Sequence, residues 1–358
     1  EGEFDESKFK GTATLALPSI NTITADLRID KLDTTDYWSD SPVTDNKGLT
    51  DAATKPAVPT DSELIPVRLL RHTHLKTIIR IDSLTGFGGD LRNAKVELRN
   101  DRKVLDLIAN ASGYDGRIVF SANTQLTGEM STEVQLTLDR LDIPKLVELE
   151  GVTGTLTANS NLKFDGSMLS QLQGTLAGKS TFFIRDGTLD VRPLKAVAKT
   201  IDSITRKTSS VSDWPDTMPF DSMAGNHVFT DGIETGQVFN ASMKNISITA
   251  LGGLSLQTET LNYDVTTTLK KTETGKFKIS KQLSGIRWPL ICSGKFSDSP
   301  VDLCLGRDGA ISQLVTQVVK QDLRRRGSKK IEELINDNLP EEYKDITTKL
   351  FKNLFKKK

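Results

Sequence analysis

Apolar and polar residues alternate along most of this chain. TATLAL (12–17), ADLRID (25–30), TIIRID (77–82), KVELR (95–99), RIVFSAN (117–123) and EVQLTLD (133–139) carry an apolar side chain at every second position. The same holds for LTANSNLKFDG (156–166), STFFIRD (180–186), MKNISITA (243–250), LSLQTETLNYDV (254–265) and KFKIS (276–280). A period of two predicts strands with one face against something apolar and the other in water. The intervening segments GFGGD, NDRK, GYDG, LTGEM, FDGS and LGG have the composition of short turns, which predicts antiparallel neighbours. LRIDKLDTTDYW (27–38), IRIDSLTGFGGDL (79–91) and LTLDRLDIPKLV (136–147) share a strand-Asp-Leu pattern. A repeated strand module of this kind predicts a long meandering sheet.

Helical spacing is confined to two regions. In 191–207, Leu194, Val197, Ala198, Ile201 and Ile204 recur at intervals of three and four after Pro193, as in a helix entered through a first-turn proline. From Ala310 onward the pattern is helical, and its last stripe (Leu350, Phe351, Leu354, Phe355) is flanked by lysines up to Lys358. That basic amphipathic helix has two readings: it packs on the end of the sheet, or it lies on an anionic membrane surface. Residues 33–64, rich in Thr, Asp, Pro and Ala, break the alternation and read as a flexible linker or loop. The chain thus divides into initial strands (1–32), the linker (33–64), a sheet domain (65–308) with a helix near 191–207, and a helical basic tail (309–358).

So many one-faced strands with so few helices leave an apolar surface to be covered. The predicted fold is mainly β: a long, curled antiparallel sheet, folded over like a taco around an apolar groove. Such a groove suits acyl chains, which need dry surface and little hydrogen bonding. Candidate groove residues are Leu27, Ile29, Ile79, Ile81, Ile118, Phe120, Leu136, Leu138, Phe182, Ile184, Ile246, Ile248, Leu254 and Leu256. A closed β-sandwich core satisfies the same alternation.

Composition narrows the function. Across 358 residues, 47 Lys and Arg balance 47 Asp and Glu, so no global field draws nucleic acid. Arg324-Arg325-Arg326 reads as a favourable helix C-terminus rather than a nucleic-acid patch. No phosphate-binding loop, nucleophile elbow, dinucleotide fingerprint or zinc-protease helix motif is present. His72 and His74 read as surface residues, and no metal or cofactor is expected. Asp30, Asp82, Asp139, Asp165 and Asp186 recur at the predicted ends of strand modules, where a short carboxylate bonds following amides. In TFFIRDGTLDV (181–191), Asp186-Gly187 reads as a turn between strands and Asp190 as a helix-start residue. Nothing here points to an enzyme. Cys292 and Cys304 lie in PLICSG and VDLCLG, a hairpin-like layout. They read either as a disulfide or as two buried thiols. The start EGEFDESKFK is not a signal peptide, and no apolar run reaches the ~18 residues of a membrane span.

The order of several degenerate motifs, from about Leu64 to Asp302, resembles the C-terminal domain of the AsmA family of Gram-negative envelope proteins. They are IPVRLLRHTHLKTIIRIDSL, LRNAKVELRNDRKVLDLIANASGYDGRI, FFIRDGTLDV, TDGIETG, NISITALGGLSLQTETLNYDVTTTL and IRWPLICSGKFSDSPVDL. The resemblance implies a periplasmic protein tethered to the inner membrane by an N-terminal anchor that this chain does not carry. It implies phospholipids as ligands in a β-groove, movement between inner and outer membranes, and contacts with both membrane surfaces or with envelope proteins. It also implies an oxidising compartment that favours the Cys292–Cys304 disulfide. The alternative expectation is a non-enzymatic scaffold or assembly factor for outer-membrane proteins.

Overall fold

The structure is a computed structural model. It describes residues 2–4, 7–16, 21–35, 61, 63–86, 89–146, 151–192, 194–195, 198–199, 210–235, 237–271, 278–279, 284, 287–298 and 303. The linker between 36 and 60, most of KFKIS, Arg324–Arg326 and the tail helices with Leu350, Phe351, Leu354 and Phe355 lie outside the described residues.

The protein is mainly β, as the alternation predicts. The strands are β1 (Gly2–Phe4), β2 (Ser7–Ala16), β3 (Thr22–Asp33), β4 (His74–Thr85), β5 (Leu91–Asn100), β6 (Val104–Gly113), β7 (Gly116–Gln125), β8 (Ser131–Asp142) and β9 (Thr155–Asp165). They continue as β10 (Ala177–Arg185), β11 (Gly187–Asp190), β12 (Thr217–Phe220), β13 (Ser222–Thr230), β14 (Ile233–Glu234), β15 (Gln237–Met243), β16 (Ile246–Ser255), β17 (Thr260–Leu269) and β18 (Arg287–Lys295). All but β11 and β12 belong to one sheet of 16 strands. The initial strands are therefore part of the main sheet and not a separate segment. Two compact units are distinguishable: Glu1–Leu149, Thr155–Phe182 and His227–Ile233 form the first, and Glu150–Gly154, Phe183–Asn226 and Glu234–Lys358 the second.

One pairing departs from the expected antiparallel order. β3 and β4 are parallel, with Thr22 opposite His74 and Ile29 opposite Ile81, so the sheet is mixed. A parallel pair needs a crossover, and its described part leaves the sheet. Glu63 bridges Met168, Leu64 donates to Ser167 O at 2.8 Å, and Asp61 accepts the Ser170 amide at 3.0 Å. The chain then forms α1 (Val67–Leu70). Asn100, at the end of β5, donates to Leu70 O at 2.7 Å and Thr73 O at 2.6 Å. The buried Asn100 amide thus satisfies carbonyls that the short helix leaves open. A second short helix, α2 (Ile143–Leu146), follows β8, and α3 (Leu169–Thr175) follows β9. Gln171 Oε1 accepts the Ser167 and Met168 amides and so caps α3. None of these three carries a hydrophobic period long enough to be read from sequence.

Two further expectations are corrected. Asp30, Asp82 and Asp139 do not end their strands, because β3, β4 and β8 each continue beyond them. Asp82 instead meets Arg28 at 3.1 Å across the parallel pair, and Asp139 meets Arg140 at 3.6 Å. LSLQTETLNYDV is also not one strand. β16 ends at Ser255, residues 256–259 form a turn, and β17 returns from Thr260 opposite Ser255.

Asp186-Gly187 is more than a turn. Asp186 has a φ of 54°, and there the chain passes from β10 into the separate two-stranded sheet of β11 and β12. Thr153 donates its amide to Thr188 O at 2.9 Å, and Asp190 donates its amide to Gly151 O at 2.6 Å, so residues 151–153 flank β11 opposite β12. Asp190 does open the next helix. Its carboxylate accepts the Arg192 amide at 2.8 Å and meets the Arg192 guanidinium at 2.6 Å. Residues 192, 194, 195, 198 and 199 are helical, with Leu194 and Ala198 buried.

The Arg192 guanidinium, aided by its amide, holds the Asp190 carboxyl below the ordinary carboxylate range. A depressed folded-state value means stabilisation present above the unfolded value near 4 and lost as pH falls through the folded one. Arg192→Ala should therefore cost about 1 kcal/mol at pH 7. The difference from the parent should shrink as pH falls below about 4 and the carboxylate is protonated, as read by urea denaturation along a series of falling pH values.

Candidate functional site

In the first unit the strand registers assemble one continuous apolar face. One row across the strands reads Gly11, Leu27, Ile79, Val96, Ala109, Phe120, Leu136 and Ser160. The next reads Ala13, Ala25, Thr77, Leu98, Leu107, Ala122, Val134 and Leu162. Ile29 and Ile81 are opposite each other on the same face, as are Ile118 and Leu138. Ser180 on β10 bonds Ser160 at 2.8 Å, which carries the face on to Phe182, two residues along. Phe182 stacks on His227, with centroids 5.4 Å apart, and His227 stacks in turn near Phe229.

No Asp, Glu, Lys or Arg occupies these rows. The intervening residues carry the charge: Lys10, Arg28, Arg80 and Lys95 are consecutive cross-strand neighbours. Arg28 pairs with Asp82, Arg80 with Asp26, and Lys95 with Glu97 at 2.6 Å. Segregation this strict gives the sheet one wet face and one that gains nothing from water.

The apolar face is nevertheless not a filled core. Leu27, Ile79, Val96, Ala109, Phe120 and Leu136 are all partly exposed, and so are Leu98, Leu107, Ala122, Val134 and Leu162. Side chains sealed in a core are packed on all sides; these are not. Ala25 and Ser160 in these rows, and Ile81 opposite Ala94, are buried, and further sealing occurs at the strand ends. At one end, Leu126, Met130 and Phe164 are buried together with the bonded pair Thr124–Thr132 and with Leu70 of α1. At the other, Tyr114, Leu141 and Ile143 are buried.

The second unit behaves differently. Its strands align Met223, Ala241, Ile248, Thr267 and Trp288 in one row and Met243, Ile246 and Leu269 in another. Met223, Ala241, Thr267, Trp288, Met243, Ile246 and Leu269 are buried, so here the face is largely a packed core. Of the expected groove residues, Ile246 is core, as are Ile184 and Ile81 in their own strands. Ile248 and Leu254 are partly exposed, and Leu256 sits in the β16–β17 turn, off the strand face altogether.

Polar side chains buried in this second unit form a group that the sequence did not disclose. Glu234 is only 1% exposed and accepts from the Tyr263 hydroxyl at 2.8 Å. Burial, reinforced by that bond to Glu234, pushes the Tyr263 phenol far above its ordinary range. Tyr263 is opposite Cys292 on β18. Cys292 is disulfide-bonded, and the one other cysteine of the chain is Cys304, outside the described residues. Of the two readings of the cysteines, the disulfide holds for Cys292.

The histidines form no centre. His72 Nδ1 lies 2.7 Å from Arg68 O after α1, while His74 opens β4. Among the described residues no group of three or more His, Cys, Asp or Glu is placed to hold a metal ion, and no helix is long and apolar enough to cross a membrane. Comparison of the chain with protein-family models, curated proteins and solved structures finds no match.

Proposed function

We propose that this protein binds the acyl chains of phospholipids along the apolar face of its first unit and conducts them within the cell envelope, without catalysing a reaction. One observation carries the reading. Adjacent strands present aliphatic rows with no charged side chain, and those rows stay partly open to solvent while the strand ends are sealed. An open apolar surface of this kind marks a site for an apolar partner. Branched aliphatic side chains with few hydrogen-bonding groups suit a ligand with no polar features along its length. The resemblance to the AsmA family agrees with it and supplies the setting: the periplasm, between an inner membrane to which the protein is tethered and the outer membrane. A disulfide at Cys292 suits that oxidising compartment.

The test is lipid extraction from the purified chain with mass spectrometry, paired with titration of a fluorescent fatty acid. Phe120 and Leu136 are cross-strand partners in the middle of the open rows. Changing both to Glu should weaken fatty-acid binding at least tenfold, about 1.4 kcal/mol or more, while the far-ultraviolet circular dichroism stays that of the parent. Absence of bound lipid from the parent would overturn the proposal. Ile184→Glu serves as contrast: that side chain is buried, so the variant should lose folded structure instead.

A second reading has its own observation. β1 pairs with β2 only at Ser7–Phe9, whereas β3 pairs with β2 from Phe9 to Ala16. Among the described residues the outer edge of Gly11–Ala16 therefore has no strand partner. An uncovered edge accepts another strand, as an assembly factor for outer-membrane proteins would require. A stoichiometric protein partner without lipid would favour it.

A further inference from the structure

The exposed large apolar side chains of the first unit are unevenly placed. Phe9, Leu15 and Ile108 stand within long strands. The others, Leu64, Leu69, Leu169 and Ile233, lie on connections or on the two-residue β14, and all four are at one rim of the sheet. That rim is the line of strand ends through Thr22, His74, Asn100, Ser131 and Asp165. Asn100 holds α1, which carries Leu69, against it. The Leu64 amide bonds Ser167 O just before α3, which begins at Leu169. Gly232, beside Ile233, donates to Leu176 O at 2.9 Å just after α3. The opposite rim, around Gly113 and Gly116, carries none of these side chains. It holds instead a polar pocket of about 750 Å³ lined by Asp90, Arg92, Asp115 and Lys145 among others.

We infer that the rim of α1 and α3 docks on the surface of a phospholipid bilayer, with Leu64, Leu69, Leu169 and Ile233 entering the head-group layer. A protein partner needs a contiguous apolar centre with a polar border. Here the aliphatic side chains are single and set among charges: Leu64 follows Glu63, and Leu69 stands between Arg68 and Arg71. Separate aliphatic anchors among charged groups suit the boundary of acyl carbon and head group. The charges are of both signs. Arg68, Arg71, Arg102 and Lys103 are offset by Glu63, Glu129, Asp165 and Asp231. Two further carboxylates are turned to backbone: Asp61 accepts the Ser170 amide, and Asp101 accepts the amides of Lys103 and Val104. A mixed set of this kind complements a zwitterionic head-group layer, where phosphates meet the guanidinium groups and ammonium groups meet the carboxylates. It gives no net pull towards anionic lipid. Docking adds a point of membrane contact to the acyl-binding reading and stands on its own observation.

Flotation of the full chain with vesicles tests this, one set of phosphatidylcholine alone and one containing phosphatidylglycerol. The parent should bind both with similar affinity. Leu64→Ser combined with Leu69→Ser should weaken binding about tenfold. Both side chains are exposed, so folding should survive. Ile108→Ser is the control. Ile108 is 48% exposed, against 45% for Leu64, but it lies within β6 opposite Glu97 on the charged face, and its loss should leave vesicle binding at the parental level. The lysine-rich segment up to Lys358 is present in every variant, so the difference reads the rim alone. A parent that leaves vesicles unbound, a double variant that binds as the parent does, or an equal loss from Ile108→Ser would overturn the inference. Binding confined to the phosphatidylglycerol vesicles and abolished by salt would overturn it in favour of a contact driven by charge. Titration with the fluorescent fatty acid separates the two proposals. Vesicle binding without fatty-acid binding supports docking and overturns the acyl-binding reading, and fatty-acid binding without vesicle binding does the reverse.

Discussion

Replacing Trp214 with alanine should destabilise the protein by about 3–5 kcal/mol, as expected for a fully buried tryptophan. Trp214 is 1% exposed. Its indole Nε1 donates to Lys278 O at 2.8 Å, its carbonyl accepts from Lys195 Nζ at 2.6 Å, and its amide donates to Val211 O at 3.1 Å. The side chain thus ties the turn before β12 to residues far along the chain, and the backbone ties it to the helix that Asp190 opens. Truncation removes a large buried area, leaves a cavity and deletes the indole's hydrogen bond to the Lys278 carbonyl. Trp214→Phe should recover most of the packing but not the hydrogen bond, and so fall between parent and alanine variant. Urea midpoints of the three proteins check the order; an alanine variant within 1 kcal/mol of the parent would contradict the assignment of Trp214 to the core.

Replacing Gly187 with alanine should cost about 3 kcal/mol, at the upper end of what one inserted methyl causes in a packed interior. A Cβ at this position would sit 2.0 Å from the Thr153 carbonyl oxygen and 2.6 Å from a ring carbon of Phe220. Neither neighbour yields easily: one is backbone, and the other belongs to a side chain only 4% exposed. Relief requires β11 to move away from residues 151–153, which breaks the amide bond from Thr153 to Thr188 O. Thermal unfolding should show the loss, and hydrogen exchange should place it at the Thr153, Thr188 and Asp190 amides. Thr188→Ala removes the side-chain bond to Thr153 without inserting anything into the gap, and should cost far less.

These positions show where sequence pattern stops being informative. The alternation identifies strands because each strand of the first unit has one face free of charge, and that rule survives at Leu27, Ile79, Phe120 and Leu136 alike. Alternation cannot distinguish an open face from a packed one: Ile246 and Leu136 sit in identical patterns, yet only Ile246 has a second set of side chains over it. The parallel register of β3 and β4 was hidden because it depends on the crossover and not on either strand. Asp186-Gly187 looked like an ordinary turn, since the reason for its glycine, the close passage of Thr153, lies far back in the chain. Leu256 reads as a strand residue because the polar turn between two alternating runs preserves the period. The pocket around Arg92 and Lys145 draws on the β4–β5 loop, the β6–β7 hairpin and α2, three places that no local motif connects.

The parallel pair also has a consequence for the order in which the chain folds. From β4 to β8 every neighbour is reached through a short connection, so those strands can zip together by successive hairpins on a fast timescale. β3 cannot join that way, because Thr22 must find His74 across the whole crossover, and closing a long loop is entropically expensive before any contact repays it. The hairpin of β2 and β3 should therefore form by itself and dock onto β4 as a late step. Until it does, the β4 edge and its row of isoleucines stand uncovered, making that interval the time at which a nascent chain is most exposed to wrong pairing and most dependent on a chaperone.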